Sequence, residues 1–171
     1  RLDLDTLDWS VVAAGGEWNV DGVALDDETG RFAFSRNVDG YTEITVGELT
    51  GATDYETVPA PDLPDGIAGG VSFGPDGDRF ALSASSRSHN TNVYVTDFAT
   101  GDTERWTRAS TAGIPRSSFR EPELIHYETF DGREIPAYFT IPDSASGDGG
   151  TPVIVDIHGG PESQRRPSFS G

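Results

Sequence analysis

The sequence predicts a mostly β chain in which propeller-like repeats precede the first strands of a second, α/β domain. Three observations predict it. Residues 21–35 and 69–83 share one pattern: Val23 answers to Val71, Arg31 to Arg79, Phe32 to Phe80 and Ser35 to Ser83, an offset of 48 residues. Self-similarity at about 40–50 residues, with several short strands per unit, marks propeller blades. An Asp131-Gly132 pair lies between two short alternating runs, which signals a hairpin. Near the C-terminus the β-branched run Val153-Ile154-Val155, with Ile157, stops at His158-Gly159-Gly160-Pro161. A strand buried on both faces of a parallel sheet reads this way.

Each repeat parses into four strands. In the first they cover Val23–Leu25, Phe32–Ser35, Thr42–Leu49 and Tyr55–Val58. In the second they cover Val71–Phe73, Phe80–Ser83, Asn92–Phe98 and Thr103–Thr107. Gly74-Pro75-Asp76-Gly77 supplies turn geometry between strands, and Thr50-Gly51 and Thr100-Gly101 lead into the fourth strands. The start of the chain fits the outer half of an earlier blade, with Leu2–Leu4 and Trp9–Ala13 as strands around Asp5-Thr6. Residues 1–107 therefore read as the C-terminal blades of a β-propeller, about two whole blades plus part of a third. A propeller closes its ring with about 4–8 blades, and repeats bury their faces only against neighbours. The chain is thus expected to be a fragment of a longer protein.

Residues 108–122 have no periodicity and carry two prolines, so they read as a linker. Glu123–Thr129 and Ile135–Ile141 form the two arms of the hairpin, with Pro136 marking an edge strand. Asp143–Gly150 reads as a surface loop, and the apolar run follows, so residues 123–171 are the N-terminal strands of the second domain. The acidic turns Asp26-Asp27-Glu28 and Asp76-Gly77-Asp78 lack the twelve-residue spacing and terminal Glu of a calcium loop. They read as hairpin turns, and no metal is expected. Arg87, His89 and Asn90 fall in a solvated loop between the second and third strands of the second blade.

Composition narrows the partners. There are 29 acidic and 12 basic residues, a formal charge of −17, and every basic residue is Arg. Such a surface repels phosphate backbones and anionic membranes, so neither nucleic acid nor membrane is an expected partner. The charge is spread along the chain, which reads as a solvated acidic surface. Self-repulsion of this size calls for screening by salt, and the lysine-free acidic composition resembles that of haloarchaeal proteins. The absence of Cys excludes disulfides, thiolate metal sites and cysteine nucleophiles within the chain. No signal peptide is visible, no apolar run is long enough to cross a bilayer, and the expected location is cytoplasmic.

The chemistry concentrates after the apolar run. A strand ending in His-Gly-Gly is the pattern of the loop after the third strand of an α/β-hydrolase, where a backbone N–H helps hold an oxyanion. Gly159 and Gly160 carry no Cβ, so their N–H groups can approach a substrate closely. Pro161 fixes its own φ and biases Gly160 towards extended geometry. The imidazole of His158 braces this loop; His126, in the edge-strand hairpin, reads as structural, and His89 as a solvated residue of a propeller loop. Arg165 and Arg166 suit bidentate contact with carboxylate or carbonyl groups, which makes them candidates either for binding peptide substrate or for pairing with Glu162 or the propeller. No Gly-x-Ser-x-Gly elbow occurs, since Ser168 and Phe169 precede Ser170-Gly171. Nucleophile, base and orienting acid are expected downstream.

The string His158-Gly-Gly-Pro-Glu-Ser-Gln-x-Arg-Pro-x-Phe169 resembles the prolyl oligopeptidase family of serine peptidases, above all its acylaminoacyl-peptidase and dipeptidyl-peptidase-like members. The hairpin around Thr129-Phe-Asp-Gly-Arg133, with its return strand ending in Ile141-Pro142, resembles the start of that family's hydrolase domain. The resemblance implies a partial β-propeller followed by the first strands of an α/β-hydrolase domain. It implies a serine peptidase that hydrolyses peptide bonds in short peptides through an acyl-enzyme, with no cofactor. Gly159 and Gly160 would supply oxyanion-hole N–H groups, and this stretch alone, lacking the triad, would be inactive. The alternative is a non-catalytic, propeller-like binding module with a vestigial hydrolase tail. An esterase or lipase shares the His-Gly-Gly loop but lacks the propeller repeat.

Overall fold

Alternating apolar residues between Gly- and Asp-containing turns build two antiparallel meanders of four strands each. The computed structural model describes residues 1–14, 16–145 and 150–169. The first meander comprises β1 (Val20–Asp26), β2 (Arg31–Val38), β3 (Tyr41–Leu49) and β4 (Tyr55–Thr57), in the order β1-β2-β3-β4. The second comprises β5 (Ile67–Phe73), β6 (Arg79–Ser85), β7 (Asn92–Asp97) and β8 (Thr103–Arg105), in the order β5-β6-β7-β8. Leu25 pairs with Phe32 and Phe73 with Phe80, so the repeat in sequence is a repeat in register. Both first strands are also irregular, with register shifts at Val20/Gly22 near the start of β1 and at Gly69/Ser72 in the middle of β5. This is a mostly β, partial propeller-like fold.

The core lies between the two blades. Phe80, Leu82, Ala84 and Tyr94 of the second blade are buried against Ala33 and Val46 of the first, with Phe98 at one end. The two faces of a blade differ in size. One face of β2 carries Phe32 and Phe34; the opposite face carries the small Ala33, which receives the large residues of the next blade. Val58 and Leu63, on the connection from β4 to β5, close the side of this core. At the surface Arg31 fastens the blades together. Its guanidinium lies 2.7 Å from Asp78 on the β5–β6 turn and stacks over the Phe98 ring at 4.4 Å.

The third unit is a hairpin, β9 (Glu123–Glu128) with β10 (Glu134–Phe139), and Ile135 pairs with Tyr127. Its turn runs through Gly132 at φ 79°, where the Thr129 amide donates to the Arg133 carbonyl. A short 3-10 turn at Arg116–Ser118 interrupts the linker.

Two expected elements differ. The outer strands of an earlier blade, Leu2–Leu4 and Trp9–Ala13, reduce to a single bridge between Leu2 and Trp9. The run Val153–Ile157 forms no strand and is not buried: Ile154 is 93% exposed. The physical reason is shared. A strand is stabilised by pairing, and neither stretch is paired into a sheet. Of the surface loop Asp143–Gly150, residues 146–149 lie outside the described residues, as do Ser170 and Gly171.

Candidate functional site

Up-and-down order brings three segments to one edge of the blades: the β2–β3 turn, the β6–β7 loop, and the β4–β5 connection. The hairpin and residues 164–169 settle on this edge. The β2–β3 turn is a two-residue Asp39-Gly40 loop with φ of 47° and 88°, the left-handed geometry that short hairpins favour. The Gly40 amide donates to Asn37 Oδ1 at 2.9 Å.

This turn is a socket. Tyr138 Oη, from β10, donates to the Asp39 carbonyl at 2.6 Å. Arg166 Nε donates to the Gly40 carbonyl at 2.8 Å, and its Nη2 donates to Thr42 Oγ1 at 2.9 Å. The same guanidinium lies 3.5 Å from Asp21. His126 Nε2, from β9, stands 3.2 Å from Asp39 Oδ2. Asn37 Nδ2 donates to Gln164 Oε1 at 2.8 Å. The rings of Tyr41 and Tyr138 meet edge-on at 5.7 Å. Pro167 is fully buried, and Phe169 packs edge-on against Phe119. A Cβ on Gly40 would lie 2.1 Å from Tyr138 Oη, so glycine is required both by φ and by space.

A second contact joins the linker to the other blade. Glu121 Oε1 accepts from Ser86 Oγ, Ser88 Oγ and the Ser88 amide, and lies 3.6 Å from His89 Nδ1. Ser88 Oγ is also 2.8 Å from that nitrogen. The β6–β7 loop, expected as solvated, is therefore tied to the linker at Glu121.

Between the two contacts lies an open cavity of about 520 Å³. Tyr41, Ile44, Leu63 and Leu124 form its apolar wall, and Asp65 and Glu121 contribute carboxylates. Burial raises the Tyr41 phenol above its ordinary range, and the negative charges of Glu121 and Asp65 raise it further. Tyr138 is pushed up to about 12, chiefly by burial, with Tyr41 and Asp39 adding to the shift and Arg166 opposing it. Burial would raise Glu121, but the Ser86 and Ser88 hydrogen bonds outweigh it and hold the carboxyl below the usual range.

The predicted site residues fall in two places. Arg166 sits in the socket. Arg165 pairs with Asp156 at 3.1 Å, both largely exposed. His158, Gly159 and Gly160 lie on the exposed stretch after the apolar run, outside the cavity wall. Gly160 takes φ 82°, in the left-handed region and not in the extended conformation expected before Pro161. Without a Cβ, the clash that restricts a residue before proline is relaxed. A Cβ built on either glycine meets nothing within 4 Å, so neither position is crowded. No group of three or more acidic or histidine side chains able to hold a metal occurs among the described residues. Nor does a helix long and apolar enough to cross a membrane. Sequence reasoning missed the socket itself. The signal was present in Asp39-Gly40, an Asp-Gly pair between two β-rich runs.

No family model matches the chain, and no curated protein matches it. Solved structures do. The chain is similar to a prolyl endopeptidase whose inter-domain dynamics were related to catalysis and specificity, with a TM-score of 0.60 and 21% identity. The match covers 79% of this chain and 19% of that one, so the chain spans about a fifth of that protein's length. At this identity the likeness shows the fold.

Proposed function

We propose that this chain is part of a serine peptidase of the prolyl oligopeptidase type, acting on short peptides, with the propeller blades guarding a site that faces the hydrolase domain. In this reading residues 1–107 are propeller, 108–122 linker, and 123–171 the beginning of the hydrolase domain. The observation that carries it is the seating of the hairpin and residues 164–169 on one edge of the blades, in a fold similar to that of a prolyl endopeptidase. The loop His158-Gly-Gly-Pro161 follows an apolar run, and its glycines are uncrowded. Gly159 and Gly160 donate N–H groups to the oxyanion of a tetrahedral intermediate, and His158 braces the loop. Arg165 and Arg166 lie close enough in sequence to that loop for Arg165 to meet substrate while Arg166 holds the segment down. Ser, Asp and His of a triad belong to sequence beyond Gly171.

The test is kinetic and uses the full-length protein with short peptide substrates. Gly160→Pro removes one donor, and loss of a single oxyanion donor costs about 10²–10³ in kcat. KM moves little, because the ground-state carbonyl depends less on that donor. Gly159→Ala crowds the same site. Near-normal kcat in both variants would remove this loop from catalysis and return it to a structural turn.

A further inference from the structure

The loop that the peptidase reading makes catalytic is not held by burial. Residues 158–165 are all exposed, and the apolar run before them forms no strand. The chain is tied down just after the loop. Burial begins at Arg166, and Pro167 is fully buried. Arg166 meets acceptors on three parts of the first blade: the Gly40 carbonyl on the β2–β3 turn at 2.8 Å, Thr42 Oγ1 on β3 at 2.9 Å, and Asp21 on β1 at 3.5 Å. Gln164 accepts a further bond from Asn37 Nδ2 on β2 at 2.8 Å. We propose that Arg166 is a positioning residue for the oxyanion loop, with the edge of the first blade as its mount. The proposal rests on the peptidase reading and gives the propeller a part in the chemical step.

Two features carry the anchorage back to the glycines. The path is short and stiff. Only residues 161–163 separate Gly160 from Gln164; the ring of Pro161 fixes its φ, and Pro161 and Glu162 form a turn with Glu162 at φ 60°. The loop is also drawn together at its base, where Arg165 lies 3.1 Å from Asp156, although that pair is largely exposed and therefore weak. At the mount itself a guanidinium bonded on three sides is fixed in orientation as well as in place, because its donors form a rigid planar fork. Lysine carries one ammonium on a flexible stem and does not reproduce that orientation.

An oxyanion-hole donor is effective because it is aimed before charge develops, so nothing reorganises at the moment of reaction. A misplacement of about 1 Å, introduced far from the chemistry, can cost about 10² in rate. Releasing Arg166 therefore weakens stabilisation of the transition state and leaves ground-state binding of substrate nearly unchanged.

Steady-state kinetics of the full-length protein on short peptides tests this, with circular dichroism of each variant as the control for folding. Arg166→Ala should lower kcat by about 10² and Arg166→Lys by about tenfold, with KM within about twofold. Thr42→Val removes one acceptor from the blade and should lower kcat about threefold, the worth of one modest hydrogen bond, but should add nothing in the Arg166→Ala background. Gly160→Pro should shrink the effect of Arg166→Ala, since a donor that is gone cannot be misaimed. A residue that only stabilised the fold would show neither coupling. Normal kcat in the Arg166 variants, a rise in KM alone, or a Thr42→Val loss that persists without Arg166 would overturn the proposal. If Arg166→Ala does not fold, Arg166→Lys and Thr42→Val decide. The glycine variants separate the two readings. When Gly160→Pro lowers kcat and the Arg166 variants do not, the peptidase reading stands and the mount falls. When Gly159→Ala and Gly160→Pro both leave kcat normal, both fall.

Discussion

Gly40 shows how much a single residue can decide. Its φ of 88° and the 2.1 Å between its missing Cβ and Tyr138 Oη are separate demands, both met only by glycine. Gly40→Ala should therefore destabilise the chain by more than the ~1–2 kcal/mol that left-handed geometry costs alone. Tyr138→Phe removes one hydrogen bond, worth about 1 kcal/mol. In the double variant the tightest contact is relieved, although Tyr138 Cζ and the Arg165 carbonyl stay at 3.3 Å, and the combined loss should be smaller than the sum of the two single losses, which urea denaturation of the four chains would measure. Additive losses would mean that alanine and Tyr138 never compete for the space. This socket was only partly legible beforehand. The Asp-Gly pair announces a turn, but nothing local says what plugs into it. Arg166 reaches a carbonyl 126 residues away, and a cation beside a Gly-Gly loop looks equally ready for substrate.

At the scale of strands and blades, local pattern carried most of the information. Eight blade strands and the hairpin arms follow from short alternating runs between turn residues, because alternation and turn chemistry are properties of neighbours in sequence. Val153–Ile157 and the N-terminal runs failed for the opposite reason. Composition marks a strand as able to pair but cannot supply the partner. The stacking adds a rule that alignment of the repeats hides. Ala33 and Ala81 occupy the same repeat position, yet Ala33 is 1% exposed beneath the next blade while Ala81 is only partly covered. Ala33→Leu should overpack and cost about 1–3 kcal/mol. Ala81→Leu should be close to neutral. Thermal unfolding of the two variants would compare them, and equal losses would contradict the one-sided packing.

For the whole molecule the dominant quantity is charge. A formal −17 on 171 residues, with Arg as the sole basic side chain, makes compaction costly at low ionic strength. At about 1 M salt the Debye length falls to about 3 Å, which screens exposed repulsion but leaves short pairs such as Arg31–Asp78 in place. β-structure measured by circular dichroism should therefore increase from low salt to molar KCl. A spectrum unchanged across that range would mean that packing alone holds the blades. The charge was fully legible in the composition; of the two cations that join parts, Arg166 at Asp21 and Gly40 matches one of the alternatives the sequence left open, and Arg31 at Asp78 was not legible.

The placement of the core between blades has a consequence for how the chain comes apart. The buried aromatic side chains of one repeat are completed by the small residues of the other, so the thermodynamic unit straddles the boundary that the repeat draws in sequence. The connection between them, with Pro59, Pro61 and Pro64, joins the two halves covalently and packs Val58 and Leu63 against the core they share. Cut there, the two halves would behave as subunits of a heterodimer. Their association would then depend on concentration, and neither half would keep its fold once diluted away from the other.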